Sequence, residues 1–181
     1  MFHCKSRLFT ISGWTLLRLP LEVSSQLPSR GQTMIKGTVN DVPFQTALEP
    51  DGRGSHWFRV DSRLQTAAKV KAGDVATLAI EPAKEWPEPV VPADLKAILA
   101  ANPPVQALWM KITPMARWEW IRWIGSTGNE ETRARRIKAT RSKLMAGERR
   151  PCCFNRNMCC VPRVSKNGVL LTLQDGSKRR Y

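Results

Sequence analysis

Two histidines are all that 181 residues provide of the side chain whose ordinary pKa lies nearest neutral pH. His3 stands near the amino end, and His56 enters a strand-like run in Gly54-Ser55-His56-Trp57. A lone histidine in that setting reads as a satisfied structural residue. Carboxylates are scattered, and Glu85 and Glu88 lie among prolines where nothing fixes their separation. No glycine-rich phosphate loop and no zinc-helix motif occurs. The residues therefore point to a non-enzymatic protein with no cofactor. Long apolar runs are missing too, and no window reaches the length of a membrane span. In the first eleven residues two basic side chains precede apolar ones, but Ser12 and Gly13 break the run and Arg18 and Pro20 follow. A secretory leader needs an unbroken apolar core and a small-residue cleavage site. The expectation is a soluble, cytoplasmic protein.

Cysteine is present but badly spaced for the usual roles. Cys4, Cys152, Cys153, Cys159 and Cys160 make an odd count with two adjacent pairs, which is not a secreted disulfide framework. Cys152, Cys153, Cys159 and Cys160 could form a four-thiolate metal site, yet zinc knuckles separate their ligands by about two to four residues so that a turn aims both sulfurs inward. Neighbouring cysteines point apart, so reduced thiols on a tail are the preferred reading.

Positive charge is abundant and unevenly placed. Residues 1–112 hold 13 Lys and Arg against 10 Asp and Glu; residues 113–181 hold 16 against 5. Most of the net charge of +14 thus sits in the last third, which implies an anionic partner or surface.

The first half of the chain has the period and punctuation of β-structure. Trp14 to Leu19 reads as a strand stopped by Pro20, and Leu27 to Gly31 as a turn. Met34–Val39 and Phe44–Leu48 flank Asn40-Asp41, which predicts a hairpin. His56–Val60 is a third strand of this group, after the turn Pro50-Asp51-Gly52-Arg53-Gly54. Leu64, Ala67, Ala68 and Val70 suit a short helix, and Val75–Ile80 alternates as a strand. Five or six short strands with one helix fit a small barrel better than a parallel sheet. The prolines of Glu85–Pro92 then hold the chain extended.

From Asp94 the pattern is helical. Leu95, Ile98 and Leu99 share a face, Pro103-Pro104 ends that helix, and Val105–Lys111 forms a second. Thr113-Pro114 reads as N-cap and first-turn proline of a third. Its residues Trp118, Trp120, Ile121, Trp123 and Ile124 spread over about 220° of a helical wheel, with Met115, Glu119 and Arg122 left on the polar arc. Such a helix should be covered on two sides, by the barrel and by the next helix. Asn129 can cap that next helix, whose first turn holds Glu130 and Glu131 at the positive helix end. Ala134, Ile137, Leu144 and Met145 form its apolar stripe, with Arg141 falling inside it, and Gly147 stops it. Beyond Gly147 only Gly168–Leu173 suggests a strand, and Lys178-Arg179-Arg180 reads as disordered.

Several of these passages together resemble the YdeI/OmpD-associated, or bacteriocin-protection, family. They are the Val39–Phe44 hairpin, Gly73-Asp74-Val75, Val91–Leu95, Trp120–Ile124, Glu131–Ile137 and Arg149–Phe154. The strongest is Glu131-Thr132-Arg133-Ala134-Arg135-Arg136-Ile137. The resemblance implies an α+β chain: a small N-terminal β-barrel of the double-split type and a C-terminal helical module, beyond which this sequence extends in a basic tail that its residues lead one to expect to be flexible. Expected boundaries are 1–92 for the barrel domain, 93–147 for the helical module and 148–181 for the Cys-rich tail. It implies no reaction. The family description suggests protection against antimicrobial peptides and association with the cell envelope, including a periplasmic setting.

Arg133, Arg135, Arg136, Lys138 and Lys143 are the candidate binding residues. Capture of cationic peptides by this region would meet Coulomb repulsion, so an anionic partner or envelope protein fits better. Non-specific nucleic-acid binding is the alternative, since no base-reading motif is present. An enzyme with its site between barrel and helices is the third reading.

Overall fold

The computed structural model describes residues 1–151 and 155–172. The chain divides into two compact units: one comprises residues 1–85 with 156–159 and the segment from 163, the other residues 86–155 with 160–162.

The first unit is a closed antiparallel barrel with strand order β1-β2-β5-β4-β3-β6. Its strands are β1 Phe2–Ile11, β2 Trp14–Arg18, β3 Thr33–Val39, β4 Val42–Pro50, β5 His56–Arg59 and β6 Val75–Pro82. The four-residue helix α1, Leu21–Ser24, follows β2, and α2, Ser62–Ala68, follows β5. Closure depends on β1, which pairs with β2 (Leu8↔Leu17) and with β6 (Cys4↔Leu78). The sequence presents these first residues only as a failed leader, with His3 near a loose end, whereas they form the longest strand. The signal is the alternation of Phe2, Cys4, Ser6 and Leu8, which a search for an unbroken apolar run passes over.

The Asn40-Asp41 hairpin is present as expected. Both residues adopt positive φ, 45° and 65°, the geometry of a tight turn whose twist matches its strands. Asn40 also ties the turn down, since its Oδ1 accepts the Thr77 N–H at 2.9 Å. At Gly37 a Cβ would lie 2.0 Å from the Ala79 carbonyl oxygen, so β3 and β6 approach too closely there for any side chain. The core includes Leu8, Leu17, Ile35, Leu48, Phe58, Leu78 and Ile80. His56 is fully buried, with Nδ1 2.7 Å from Ser24 Oγ and Nε2 2.8 Å from the Gly31 carbonyl. Nε2–H donates to the carbonyl, which leaves Nδ1 to accept from the serine hydroxyl. Both ring nitrogens are satisfied by local structure.

Part of the stretch expected as a flexible tail contributes buried side chains. Cys159, Val164 and Leu170 are buried, and β7 Ser165–Lys166 pairs with β8 Val169–Leu170. Within the first unit this hairpin lies on the Asp51–Ser55 turn: Leu170 N–H donates to the Asp51 carbonyl at 2.9 Å. A Cβ on Gly52 would sit 2.0 Å from the Gly168 carbonyl. Arg163 donates twice to the Ser12 carbonyl, at 2.9 and 2.6 Å, and stacks on Trp14. Lys178-Arg179-Arg180 lies outside the described residues.

The second unit contains α3 Ala93–Ala100, α4 Pro103–Lys111, α5 Pro114–Gly125 and α6 Glu130–Met145. The expected caps form: Thr113 Oγ1 accepts the Ala116 N–H at 3.2 Å and Asn129 Oδ1 the Thr132 N–H at 2.8 Å. Leu95, Leu99, Trp109, Trp120, Ile124, Ile137 and Leu144 share a separate core.

Two helix faces differ from the sequence reading. On α6 the buried positions are Ile137, Thr140 and Leu144, while Ala134, Arg141 and Met145 are exposed. Thr140 can line the core because its hydroxyl donates to the Arg136 carbonyl at 2.9 Å. On α5 the arc assigned to solvent is covered, and Arg117, Glu119 and Arg122 are all buried.

Candidate functional site

Arg117 shows what the buried charges of α5 do. Its Nη1 donates to the carbonyls of Trp109 at 2.9 Å and Ile112 at 2.6 Å, so it satisfies acceptors left over at the end of α4. Nε donates to Glu88 Oε2 at 2.9 Å, and Nη2 pairs with Glu88 Oε1. Just before Glu88, the Pro87 carbonyl accepts from Trp118 Nε1 at 2.8 Å, and Trp86 meets Trp118 edge to face at 6.1 Å between centroids. Thus Trp86–Glu88, read from its prolines as an extended connection, lies against α5. Glu119 faces Arg150 at 3.4 Å.

The five candidate residues on α6 divide into two sets. Arg133 makes a forked pair with Asp94, Nε to Oδ2 at 2.7 Å and Nη2 to Oδ1 at 3.0 Å, linking α6 to the first turn of α3. The hydrogen bond from Arg133 holds the Asp94 carboxyl below its ordinary range. Arg136 Nη1 donates to the Trp123 carbonyl and to Ser126 Oγ, both at 2.7 Å, and the guanidinium lies 5.5 Å from the Trp123 ring centroid. Burial pushes the Arg136 guanidinium below its usual value; neighbouring Arg135 acts in the same sense and Cys160 opposes it. Lys143 reaches both oxygens of Glu148, at 3.2 and 3.0 Å. These three side chains hold helix ends together.

Arg135 and Lys138 belong to the other set. Both are exposed, as is Arg141, and among the described residues none of the three has a hydrogen bond or ion pair. Their spacing of three residues places them within about 120° of the helix circumference over about 9 Å of its length. The sequence wheel misses Arg141 as a binding residue because it puts it in the apolar stripe; burial of Thr140 in place of Ala134 and Met145 turns it outward. An ordered row of unpaired cations can bind a polyanion by direct charge contact.

Of the cysteines weighed as metal ligands, Cys159 is buried and Cys160 half-buried, while Cys152 and Cys153 lie outside the described residues. Among the described residues no cluster of three or more His, Cys, Asp or Glu forms a metal site, and no helix is long and apolar enough to cross a membrane.

Fold and charge together define a two-module protein, an antiparallel barrel and a basic helical module, each with its own core. Residues 4–80 match the family model for a domain of unknown function (DUF1905), and residues 88–147 match bacteriocin-protection, YdeI or OmpD-associated. The helical module thus matches the YdeI/OmpD-associated model, and the barrel before it matches the DUF1905 model. No curated protein matches the chain significantly.

Proposed function

We propose that this is a non-catalytic protein of the bacteriocin-protection type whose helical module engages an anionic partner at the cell envelope through the exposed face of α6. The observation that carries this reading is the row Arg135, Lys138 and Arg141, which has no structural employment among the described residues. An α6 that only held its own module together would need Arg133, Arg136 and Lys143 and nothing more. The working location is the cytoplasm, with the periplasm as the alternative that the family description suggests. Nucleic acid is the competing partner, since the same row would bind phosphates without reading bases.

The test uses the full chain with vesicles containing anionic lipid, with duplex DNA and with single-stranded RNA, each titrated over salt. Binding to at least one of them at low salt, weakening steeply as salt rises, supports the electrostatic reading. A preference for vesicles favours the envelope, and a preference for DNA or RNA favours the competing partner. No binding to any of the three at low salt removes the proposal.

A further inference from the structure

The barrel is split on one side. β4 pairs with β3 from Val42 to Leu48, but with β5 only at Glu49↔Trp57 and Pro50↔His56. β5 meanwhile directs Phe58 and Arg59 into pairing with β2. Between the open part of β4, the end of β5 and helix α2 lies a groove of about 480 Å3, within the usual size of a small-molecule site.

One wall of the groove is aromatic: Phe44 stacks on the buried Phe58 at 5.2 Å between centroids, with 18° between the rings. Leu64 of α2 also lines the groove. The lining also includes Arg59, Arg63 and Asp61. Asp61 is committed to capping α2, accepting the Leu64 N–H at 2.8 Å. Arg59 is steadied by stacking 4.6 Å over the Trp14 ring. Among the described residues, neither Arg59 nor Arg63 donates to any acceptor.

A groove lined by an aromatic ring and by two arginines that donate to no acceptor among the described residues suits a flat apolar body carrying an acidic group. We propose that the split of the barrel binds small aromatic carboxylates: the ring lies along Phe44 and the carboxylate accepts from Arg63 and Arg59. A guanidinium presents paired N–H donors at the spacing of carboxylate oxygens. The carboxylate of Asp61 in the lining disfavours a dianion.

The probe is 2-naphthoate added to the full chain, with 2-naphthamide as the neutral counterpart of the same shape. Calorimetry should show the acid bound about tenfold more tightly than the amide, the difference made by the charge-assisted contacts to the two exposed guanidiniums. Backbone amide shifts should concentrate at Leu64 and Ala67. Arg63→Gln should cut the preference for the acid severalfold, and Phe44→Ala should weaken both probes. The exposed Arg63 variant keeps the test sound if Phe44→Ala perturbs folding. Triple reversal of Arg135, Lys138 and Arg141 should leave naphthoate binding unchanged, which separates this site from the α6 face. Equal affinity for acid and amide, an unaffected Arg63→Gln variant, loss of binding in the α6 variant, or no binding at millimolar probe would each overturn the assignment.

Discussion

Helices α5 and α6 invert what their compositions suggest. α5 is rich in tryptophan and isoleucine, yet it buries Arg117, Glu119 and Arg122; α6 is the more polar helix, yet half of its six basic residues are tied into structure. The difference lies in leftover acceptors. Leftover carbonyls draw in Arg117 and Arg136, and nearby carboxylates draw in Arg133 and Lys143, so these charges are no longer free at the surface. A cation is available for binding only when nothing nearby claims it, so counting charges overstates the functional face of α6 and misplaces part of it.

The largest break of this contrast should come from the apolar centre of α5. Trp120 is fully buried and its indole N–H donates to the Arg149 carbonyl at 3.1 Å. Trp120→Ala should cost about 3–5 kcal/mol in chemical denaturation, combining lost burial with a cavity. Unchanged thermal stability would contradict the placement of Trp120 in the core.

Arg117→Met comes next. It strips donors from the Trp109 and Ile112 carbonyls and should cost about 2–3 kcal/mol, while Arg117→Lys should recover only part because the fork is lost. A methionine variant as stable as the parent would mean that the guanidinium is not needed at the end of α4.

Arg133→Ala tests the paired set of α6 and should cost about 0.5 kcal/mol, since its partner is substantially exposed. Its signature is the pH dependence. The depressed Asp94 carboxyl contributes stability that is present above the unfolded-state value and is lost as pH falls through the lower folded-state value. Urea titrations at neutral and acid pH should therefore show the variant losing less stability on the acid side than the parent. Equal acid-side losses would show that the pair contributes nothing measurable.

Much of the architecture is legible in the sequence because local chemistry agrees with the fold. Asn40-Asp41 could hardly be anything but a turn, and Thr113-Pro114 and Asn129 announce helix starts that the structure keeps. Reading fails where a residue's role is set by distant partners. The alternation of β1 gains meaning only through β2 and β6. The outward turn of Arg141 is different: it rests on a local bond, from the Thr140 hydroxyl to the Arg136 carbonyl within α6, that lets a polar residue be buried. Distant partners also hide part of the division among the candidate cations. Asp94 and Ser126 claim Arg133 and Arg136 through the way the helices pack, whereas Glu148 lies only five residues beyond Lys143. The residues lining the split of the barrel are legible as strand and helix residues, but nothing in their spacing reveals a shared groove.

Arg135→Glu, Lys138→Glu and Arg141→Glu combined should change stability least, within about 1 kcal/mol, because none of the three side chains is packed. Yet this variant should change binding most. The decisive measurement is its affinity for the preferred polyanion as a function of salt, beside the parent chain. The account predicts an intact fold, loss of most of the binding at low salt, and a flatter slope of log affinity against log salt. A folded variant that binds with the parent's affinity and slope would contradict it, and would place the anionic partner elsewhere on the molecule.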